Sequence, residues 1–237
     1  MAAPAFVLLH SPLVGPGSWT KVATILSERG FDAVVPRLSS ALDGAPPYYA
    51  RFADLTAGAV RISAPTGDIV LVAHSGAGAL LPAVAVQVPN VAGAIFADAL
   101  LPHPGRTWFE TVPPELKAHL LGLAREGHLP RWSEWWPHDA MARILPDRAT
   151  RETFVGGLRE IPLAYCEDVA PQIAIPEAAR CAYLQWSTAC RADAAEAGAR
   201  GWPVLSRNAN HLAMLTHPDA VADDLLLLTE TLGIGVA

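Results

Sequence analysis

Residues 68–85, DIVLVAHSGAGALLPAVA, contain the pattern that decides the fold. In the run Asp68–Ala73 every residue after Asp68 is apolar and three are β-branched, which predicts a strand buried on both faces. The small residues that follow predict a helix over Gly76–Gln87. Ser75 therefore lies on a tight turn between a buried strand and a helix.

The five residues around this turn, Ala73-His74-Ser75-Gly76-Ala77, are similar to the G-x-S-x-G pattern of a nucleophile elbow. Small residues are needed on both sides of the serine because the turn is strained, and alanine meets this need less strictly than glycine. An ordinary strand–helix turn is the alternative, but the context favours the elbow. Ser75 is thus the candidate nucleophile, and the Gly76 N–H is a candidate oxyanion donor.

Apolar runs and helical patterns alternate through most of the chain, which predicts an α/β fold with a mostly parallel sheet of about six strands and helices on both faces. The other predicted strands are Ala5–Leu9, Asp32–Pro36, Val91–Ala97, Ala182–Trp186 and Pro203–Leu205. The other predicted helices are Trp19–Arg29, Tyr48–Ile62, Ala192–Gly201 and Pro218–Leu232.

The alternation stops between residues of about 102 and 176, which predicts one domain over 1–237 with a helical cap insertion. Such an insertion would lie over the carboxyl ends of the strands, where open α/β sheets bind ligands. Trp108, Trp132 and Trp136 are candidates for an aromatic roof over an apolar substrate, with Trp135 beside them. The alternative is that these tryptophans form the packing core of the insertion itself.

A serine nucleophile needs a base, and His211 is the candidate because it follows the last short strand and precedes the last helix. His217 is expected to cap that helix at the surface. His74 is expected to pack inside, and His10 to brace the loop after the first strand. The insertion holds four more histidines, most of which we expect at the surface: His103, His119, His128 and His138.

The acid that would orient His211 has two candidates. Asp98 directly follows the apolar run Val91–Ala97 and so lies at the carboxyl edge of the predicted sheet. Asp193 follows the predicted strand Ala182–Trp186, which is the commoner place for the acid. It falls, however, in the first turn of a predicted helix, where the helix dipole stabilises a carboxylate. Asp98 is therefore preferred, and Asp193 stays open.

Four segments, HSPLVGPGSW, AHSGAGA, FADALLP and NANHLAMLTHPDAVA, resemble the α/β-hydrolase superfamily in order and spacing. The chain looks closest to the small esterase and hydroxynitrile-lyase-like branch with its bacterial relatives. FADALLP also looks like the acid-bearing segment of haloalkane dehalogenases, which supports Asp98, although those enzymes use a carboxylate nucleophile. The resemblance implies an α/β-hydrolase fold.

One segment departs from this family's pattern. The family usually reads His-Gly-x after the first strand, and the residue x donates a backbone N–H to the oxyanion. This chain has Pro12 at that position, and proline has no N–H. The Leu13 N–H or the Ser11 hydroxyl is expected to replace it.

Composition limits the classes of partner. The net charge is −6 without a basic cluster, which argues against nucleic acid. Polar residues interrupt the long apolar stretch from Ile69 to Ala97, so we expect no membrane span. Three cysteines without a metal-binding spacing predict a reduced, cytoplasmic protein with no metal and no cofactor. A small-molecule substrate is the expected partner, and a homodimer stays open.

These features together predict a serine hydrolase that cleaves an ester, thioester or lactone of a mostly apolar small molecule. Two alternatives keep the fold. One is a lyase or cyclase of secondary metabolism that works by acid–base chemistry, which the proline at position 12 favours. The other is a protein that binds a small ligand without turning it over.

Overall fold

A parallel sheet of six strands forms the centre of the structure, a computed structural model that describes residues 2–235. In spatial order its strands are β2 (Ala33–Val34), β1 (Ala5–Leu9), β3 (Ile69–His74), β4 (Val91–Ala97), β7 (Arg180–Gln185) and β8 (Val204–Ser206). A separate antiparallel pair joins β5 (His128–Leu129) to β6 (Ile161–Pro162). Met1, Val236 and Ala237, which belong to the predicted domain 1–237, lie outside the described residues.

Helices cover both faces of the sheet. The α-helices of the described residues are α1 (Thr20–Glu28), α2 (Tyr48–Ser63), α3 (Leu81–Ala85), α4 (Pro114–Leu123), α5 (Ala140–Ile144), α6 (Arg148–Gly156), α7 (Leu163–Glu167), α8 (Arg191–Ala199), α9 (Ala213–Thr216) and α10 (Pro218–Thr231). Within residues 2–235, none of these helices is long and apolar enough to cross a membrane.

The core divides into two layers because successive side chains of a strand point to opposite faces. In β1, Phe6 and Leu8 pack in the layer that α1, α9 and α10 cover, whereas Val7 and Leu9 pack in the layer of α2, α3 and α8. Every residue of β1 is therefore buried, as the continuous apolar run predicted. The predicted α/β fold, with a parallel sheet of six strands and helices on both faces, is confirmed.

Two predicted elements differ from the structure in length or type, whereas the ends of the other predicted strands and helices lie within two residues of the observed ones. The strand over Asp32–Pro36 shrinks to Ala33–Val34, which pairs with β1 alone at the edge of the sheet. The helix over Gly76–Gln87 is instead a 3-10 helix over Ser75–Leu80 followed by α3. An α-helical bond from residue 82 to Gly78 cannot form because Pro82 has no N–H, so one regular α-helix is excluded.

The segment between β4 and β7, residues 98–179, carries four of the helices and the small β5–β6 pair. Its first residues pack against the turn after β3. A Cβ built on Gly78 would lie only 2.0 Å from the Leu100 carbonyl oxygen and 3.1 Å from the Cβ of Ala99. Position 78 therefore requires glycine for steric reasons alone.

Gly78→Ala is expected to destabilise the protein by about 1–3 kcal/mol or more, because the added methyl group overlaps backbone that cannot move freely. The measurement is the free energy of unfolding from urea titration. Gly58→Ala is the matched control, because a Cβ there would meet only the Arg61 guanidinium at 3.8 Å. That change is expected to stabilise α2 by about 0.5–1 kcal/mol. Equal effects of the two substitutions would contradict the packing argument.

Candidate active site

Ser75 directly follows β3 and adopts a left-handed backbone conformation with φ of +56°. A non-glycine residue in this region is strained and is held there by its surroundings. The strain is maintained by the fully buried strand before it and by the Leu100 N–H, which donates to the Ser75 carbonyl at 3.0 Å. The sharp turn leaves the Ser75 side chain in the wall of a cavity.

The structure brings the three predicted catalytic residues together in one chain of hydrogen bonds. The Ser75 hydroxyl donates to Nε2 of His211 at 3.1 Å, and Nδ1 of His211 donates to Oδ2 of Asp98 at 2.7 Å. The His211 side chain keeps 21% of its surface exposed, whereas that of Asp98 is completely buried. This order of contacts is what nucleophile, base and orienting acid require.

Asp98 is a buried carboxylate with four donors. Its Oδ1 accepts the backbone N–H groups of Trp186 and Ser187, both at 2.9 Å. Its Oδ2 accepts the Ser187 hydroxyl at 2.6 Å besides the imidazole of His211. Burial raises the pKa of Asp98, but the hydrogen bonds and charge of His211 and the bonds of Ser187 outweigh it, and the net pKa falls to about 2. The carboxylate is therefore charged at neutral pH.

Sequence reasoning missed Ser187. The residue stands two positions after β7, at the carboxyl edge of the sheet, and that position was the available signal. Its hydroxyl and backbone both serve Asp98. The segment after β7 therefore contributes hydrogen-bond donors to an acid that comes from the neighbouring strand.

His74 is buried, as expected, and it holds the backbone of the candidate base. Its Nε2–H donates to the carbonyl of His211 at 2.8 Å, and the two rings lie 4.6 Å apart. Burial and the neighbouring His211 keep the pKa of His74 well below its usual value, so the ring stays neutral. It therefore places no second positive charge beside His211.

The alternatives for acid and base make other contacts. The Asp193 carboxylate, in the first turn of α8, accepts the Leu101 N–H at 3.1 Å, whereas Asp98 holds Nδ1 of His211. His217 is exposed and precedes α10 as its N-cap residue. Nδ1 of His10 donates to the Ser11 carbonyl at 2.8 Å and so braces the loop after β1, as expected, while its Nε2 accepts the Leu38 N–H at 3.3 Å.

The predicted replacement for the missing oxyanion donor has a defined geometry. A Cβ built on Gly76 would lie 3.3 Å from the Ser11 hydroxyl oxygen and 3.7 Å from Cδ of Pro12. The proline ring therefore faces the turn with carbon where another residue would carry an N–H. The Leu13 N–H already donates to the Ser11 hydroxyl oxygen at 3.3 Å. That contact leaves the Ser11 hydroxyl hydrogen available to a bound oxyanion.

A cavity of about 580 Å³ adjoins these groups, and Ser11, Leu13, Ser75, Gly76, Asp98 and His211 all line it. Trp108, Trp132 and Trp136 line it too, together with Trp135. Trp135 is almost fully buried, and Trp108 and Trp132 pack against the core while they face the cavity. Trp108, Trp132 and Trp135 therefore belong both to the packing core and to the cavity wall, whereas Trp136 is 38% exposed and belongs to the wall alone.

One histidine of the insertion differs from the general expectation of surface positions. His103 lines the cavity and is only 8% exposed, because the turn that ends in Arg106 folds it inward. His119, His128 and His138 are exposed, as expected. No sequence pattern distinguishes His103 from the other three.

Among the described residues, one group of possible metal ligands has suitable spacing, namely Asp98, Cys190 and His211. Its chemistry does not suit a metal ion. Burial raises the pKa of the Cys190 thiol to about 12, so the thiol stays protonated and donates to the Asp98 carbonyl. The imidazole and carboxylate are bonded to each other instead.

Comparisons with known proteins find a matching family and several structures with the same fold. A sequence model described as the alpha/beta hydrolase family matches residues 6–224. No curated protein sequence matches the chain significantly.

Three similar solved structures share the fold at low sequence identity. One is an extracellular alpha/beta-hydrolase from a Paenibacillus species, described as sharing homology with tobacco salicylic acid binding protein 2. Its sequence is 15% identical, the alignment covers 96% of this chain and 99% of that chain, and the TM-score is 0.74. The second is a pyrethroid hydrolase from Sphingobium faniae JZ-2. Its sequence is 20% identical, the alignment covers 97% of this chain and 98% of that chain, and the TM-score is 0.69. The third is polyneuridine aldehyde esterase, with 18% sequence identity, 96% of this chain and 100% of that chain covered, and a TM-score of 0.71.

Asp98 is expected to make stability depend on pH in acid. Its folded pKa of about 2 lies below the ordinary value of 3.8, so its contribution is present above pH 3.8 and is lost as the pH falls through about 2. The measurement is the urea midpoint of unfolding between pH 5 and pH 2. Asp98→Asn is expected to show a flatter dependence over that window, and equal slopes for both proteins would contradict the charged, hydrogen-bonded state of Asp98.

Proposed function

Because this chain belongs to the α/β-hydrolase family, we propose that it is a serine hydrolase that cleaves an ester, thioester or lactone of a mostly apolar small molecule. The observation that carries this proposal is the continuous chain of hydrogen bonds from Ser75 through His211 to the buried Asp98. A serine hydroxyl needs such a partner, because it is a weak nucleophile while it keeps its proton.

In the proposed mechanism, the Ser75 oxygen attacks the acyl carbon while Nε2 of His211 removes the hydroxyl proton. Asp98 holds Nδ1 of His211 and stabilises the imidazolium that forms. The imidazolium then protonates the leaving alcohol or thiol as the acyl–oxygen or acyl–sulfur bond breaks. Water, activated by the same imidazole, hydrolyses the acyl-enzyme and restores Ser75. No step needs a metal or an organic cofactor.

The oxyanion of the tetrahedral intermediate would be held by the Gly76 N–H and the Ser11 hydroxyl. The Gly76 N–H lies in the first turn after Ser75, where backbone donors have no partner within the helix. The Leu13 N–H donates to the Ser11 oxygen, which polarises the hydroxyl toward donating its hydrogen. Of the two predicted replacements for Pro12, the geometry thus favours Ser11 over Leu13.

The substrate would be mostly apolar and small. Four tryptophans, Leu13, Leu100, Leu101 and Leu116 among others form the cavity wall, and a volume of about 580 Å³ suits a compact ester. We propose that residues of about 102–176 act as a cap, since they supply Trp108, Trp132 and Trp136 to this wall. The wall would exclude water from the reacting carbonyl, which strengthens the interactions with the oxyanion.

A second candidate function is a lyase or cyclase that uses the same serine and histidine for acid–base chemistry. The observation that favours it is the carbon of Pro12 where the family has an N–H donor. A reaction that develops less charge on a carbonyl oxygen would tolerate this loss. Turnover that needs His211 while no covalent adduct forms at Ser75 would favour this candidate.

Ser75→Ala is expected to abolish labelling by a fluorophosphonate probe and to lower kcat for ester hydrolysis by about 10⁴-fold or more. The measurements are mass spectrometry of the labelled protein and release of p-nitrophenol from short acyl esters. Ser27→Ala is the matched control, because Ser27 is an exposed serine in α1. Labelling that persists in Ser75→Ala would refute the nucleophile.

Ser11→Ala is expected to lower kcat by about 10²–10³-fold with little change in KM, because one oxyanion donor is lost. Pro12→Ala introduces a backbone N–H beside it. In the Ser11→Ala background, Pro12→Ala is expected to recover part of kcat, because the new N–H replaces the lost hydroxyl. Steady-state kinetics of the four proteins measure the coupling, and a Ser11→Ala variant with full kcat would exclude Ser11 as donor.

A further inference from the structure

His103 lines the cavity, and one nitrogen of its buried ring has no hydrogen-bond partner among the described residues. The residue lines the cavity and is 8% exposed. Its Nδ1 lies 3.1 Å from the carbonyl oxygen of Arg106, whereas its Nε2 is buried and has no hydrogen-bond partner within the described part of the chain. The mechanism proposed above makes no use of this imidazole.

The contact with Arg106 determines which nitrogen of His103 carries the proton. A carbonyl oxygen only accepts, so Nδ1 must donate, and the Nε2 of the neutral ring is then a lone-pair acceptor. Burial lowers the pKa of His103, which favours this neutral ring. A buried acceptor without a partner costs free energy, and a donor group from a bound molecule would remove that cost.

The charged residues in the rest of the cavity wall favour the same kind of ligand, one that donates hydrogen bonds. Asp193 and Glu196 from α8 line it with carboxylates, and no lysine or arginine lies among the described residues that line it. A substrate with a carboxylate or phosphate would meet acceptors of like character and no cation to neutralise it. A substrate with a hydroxyl or an amine would meet complementary groups.

We propose that Nε2 of His103 accepts a hydrogen bond from the substrate, so the preferred ester bears a hydroxyl or N–H group and no anionic group. This inference rests on the proposed function, because it names the substrate class of the same site. His103 would then determine specificity, since a site built to bind a donor rejects the analogue that lacks it.

The experiment compares kcat/KM for matched pairs of p-nitrophenyl or alkyl esters. In each pair a terminal hydroxyl in the acyl or alcohol part, at several distances from the carbonyl, is replaced by a methyl group. A third series carries a carboxylate at that place. The wild-type protein is expected to prefer the best-placed hydroxyl ester by roughly 10- to 100-fold and to hydrolyse the carboxylate ester most slowly.

Two substitutions at position 103 test the assignment. His103→Leu is expected to lose the preference through a higher KM for the hydroxyl ester, measured as the ratio of kcat/KM between the hydroxyl ester and the methyl ester. His103→Gln keeps an acceptor and is expected to retain part of the preference. His128→Leu is the matched control, because His128 is an exposed histidine of the same segment.

The outcomes separate this inference from the proposed function. An equal rate for hydroxyl and methyl esters in the wild type, or an undiminished preference in His103→Leu, would overturn the role of His103 while hydrolysis at Ser75 stands. Fluorophosphonate labelling of each variant shows that the site is folded. If no ester is hydrolysed and Ser75 is not labelled, the proposed function itself fails.

Discussion

The parallel register of strands β3, β4 and β7 determines where Ser75 and Asp98 of the candidate site lie. His74 at the end of β3 pairs with Ala97 of β4, and Ala97 pairs with Leu184 of β7. The residues that follow, Ser75 and Asp98, therefore leave the sheet at the same edge and at the same level. Both adopt positive φ angles, +56° and +46°, so the chain turns sharply away and leaves the two side chains at the edge. Such strain costs about 1–3 kcal/mol for each residue and is offset by the buried strands that hold it.

A charged group at this edge creates the second constraint, because a buried carboxylate is tolerated only when donors surround it. Asp98 has two backbone donors, one hydroxyl and one imidazole. The nearby His74 stays neutral through burial, so it adds no positive charge beside Asp98 and His211. The two neighbouring rings thus make different contacts: His74 holds the His211 backbone, and the His211 side chain joins Ser75 to Asp98.

Several conclusions followed correctly from local sequence alone, and others did not. The strands β1 and β4 have the predicted bounds, because continuous apolar runs between turn residues leave few other structures. The prediction of one helix over Gly76–Gln87 was wrong, because it was based on the small residues of this segment and neglected that Pro82 has no N–H. Ser187 was missed, and His103 differs from the other histidines of its segment only through the fold around it.

The sequence by itself determined the order of strands and helices, and it determined which side chains could act as nucleophile and base. These follow from hydrophobic periodicity and from the rare strand–serine–helix turn, which are local properties of the chain. Only the tertiary structure decided that Asp98 rather than Asp193 contacts His211, and that Ser187 supports the carboxylate. The side-chain contacts among Ser75, Asp98, Ser187 and His211 join residues that are 89 to 136 positions apart in the sequence. Only the strand register and the crossover connections bring the two atoms of each contact within 3.1 Å of each other.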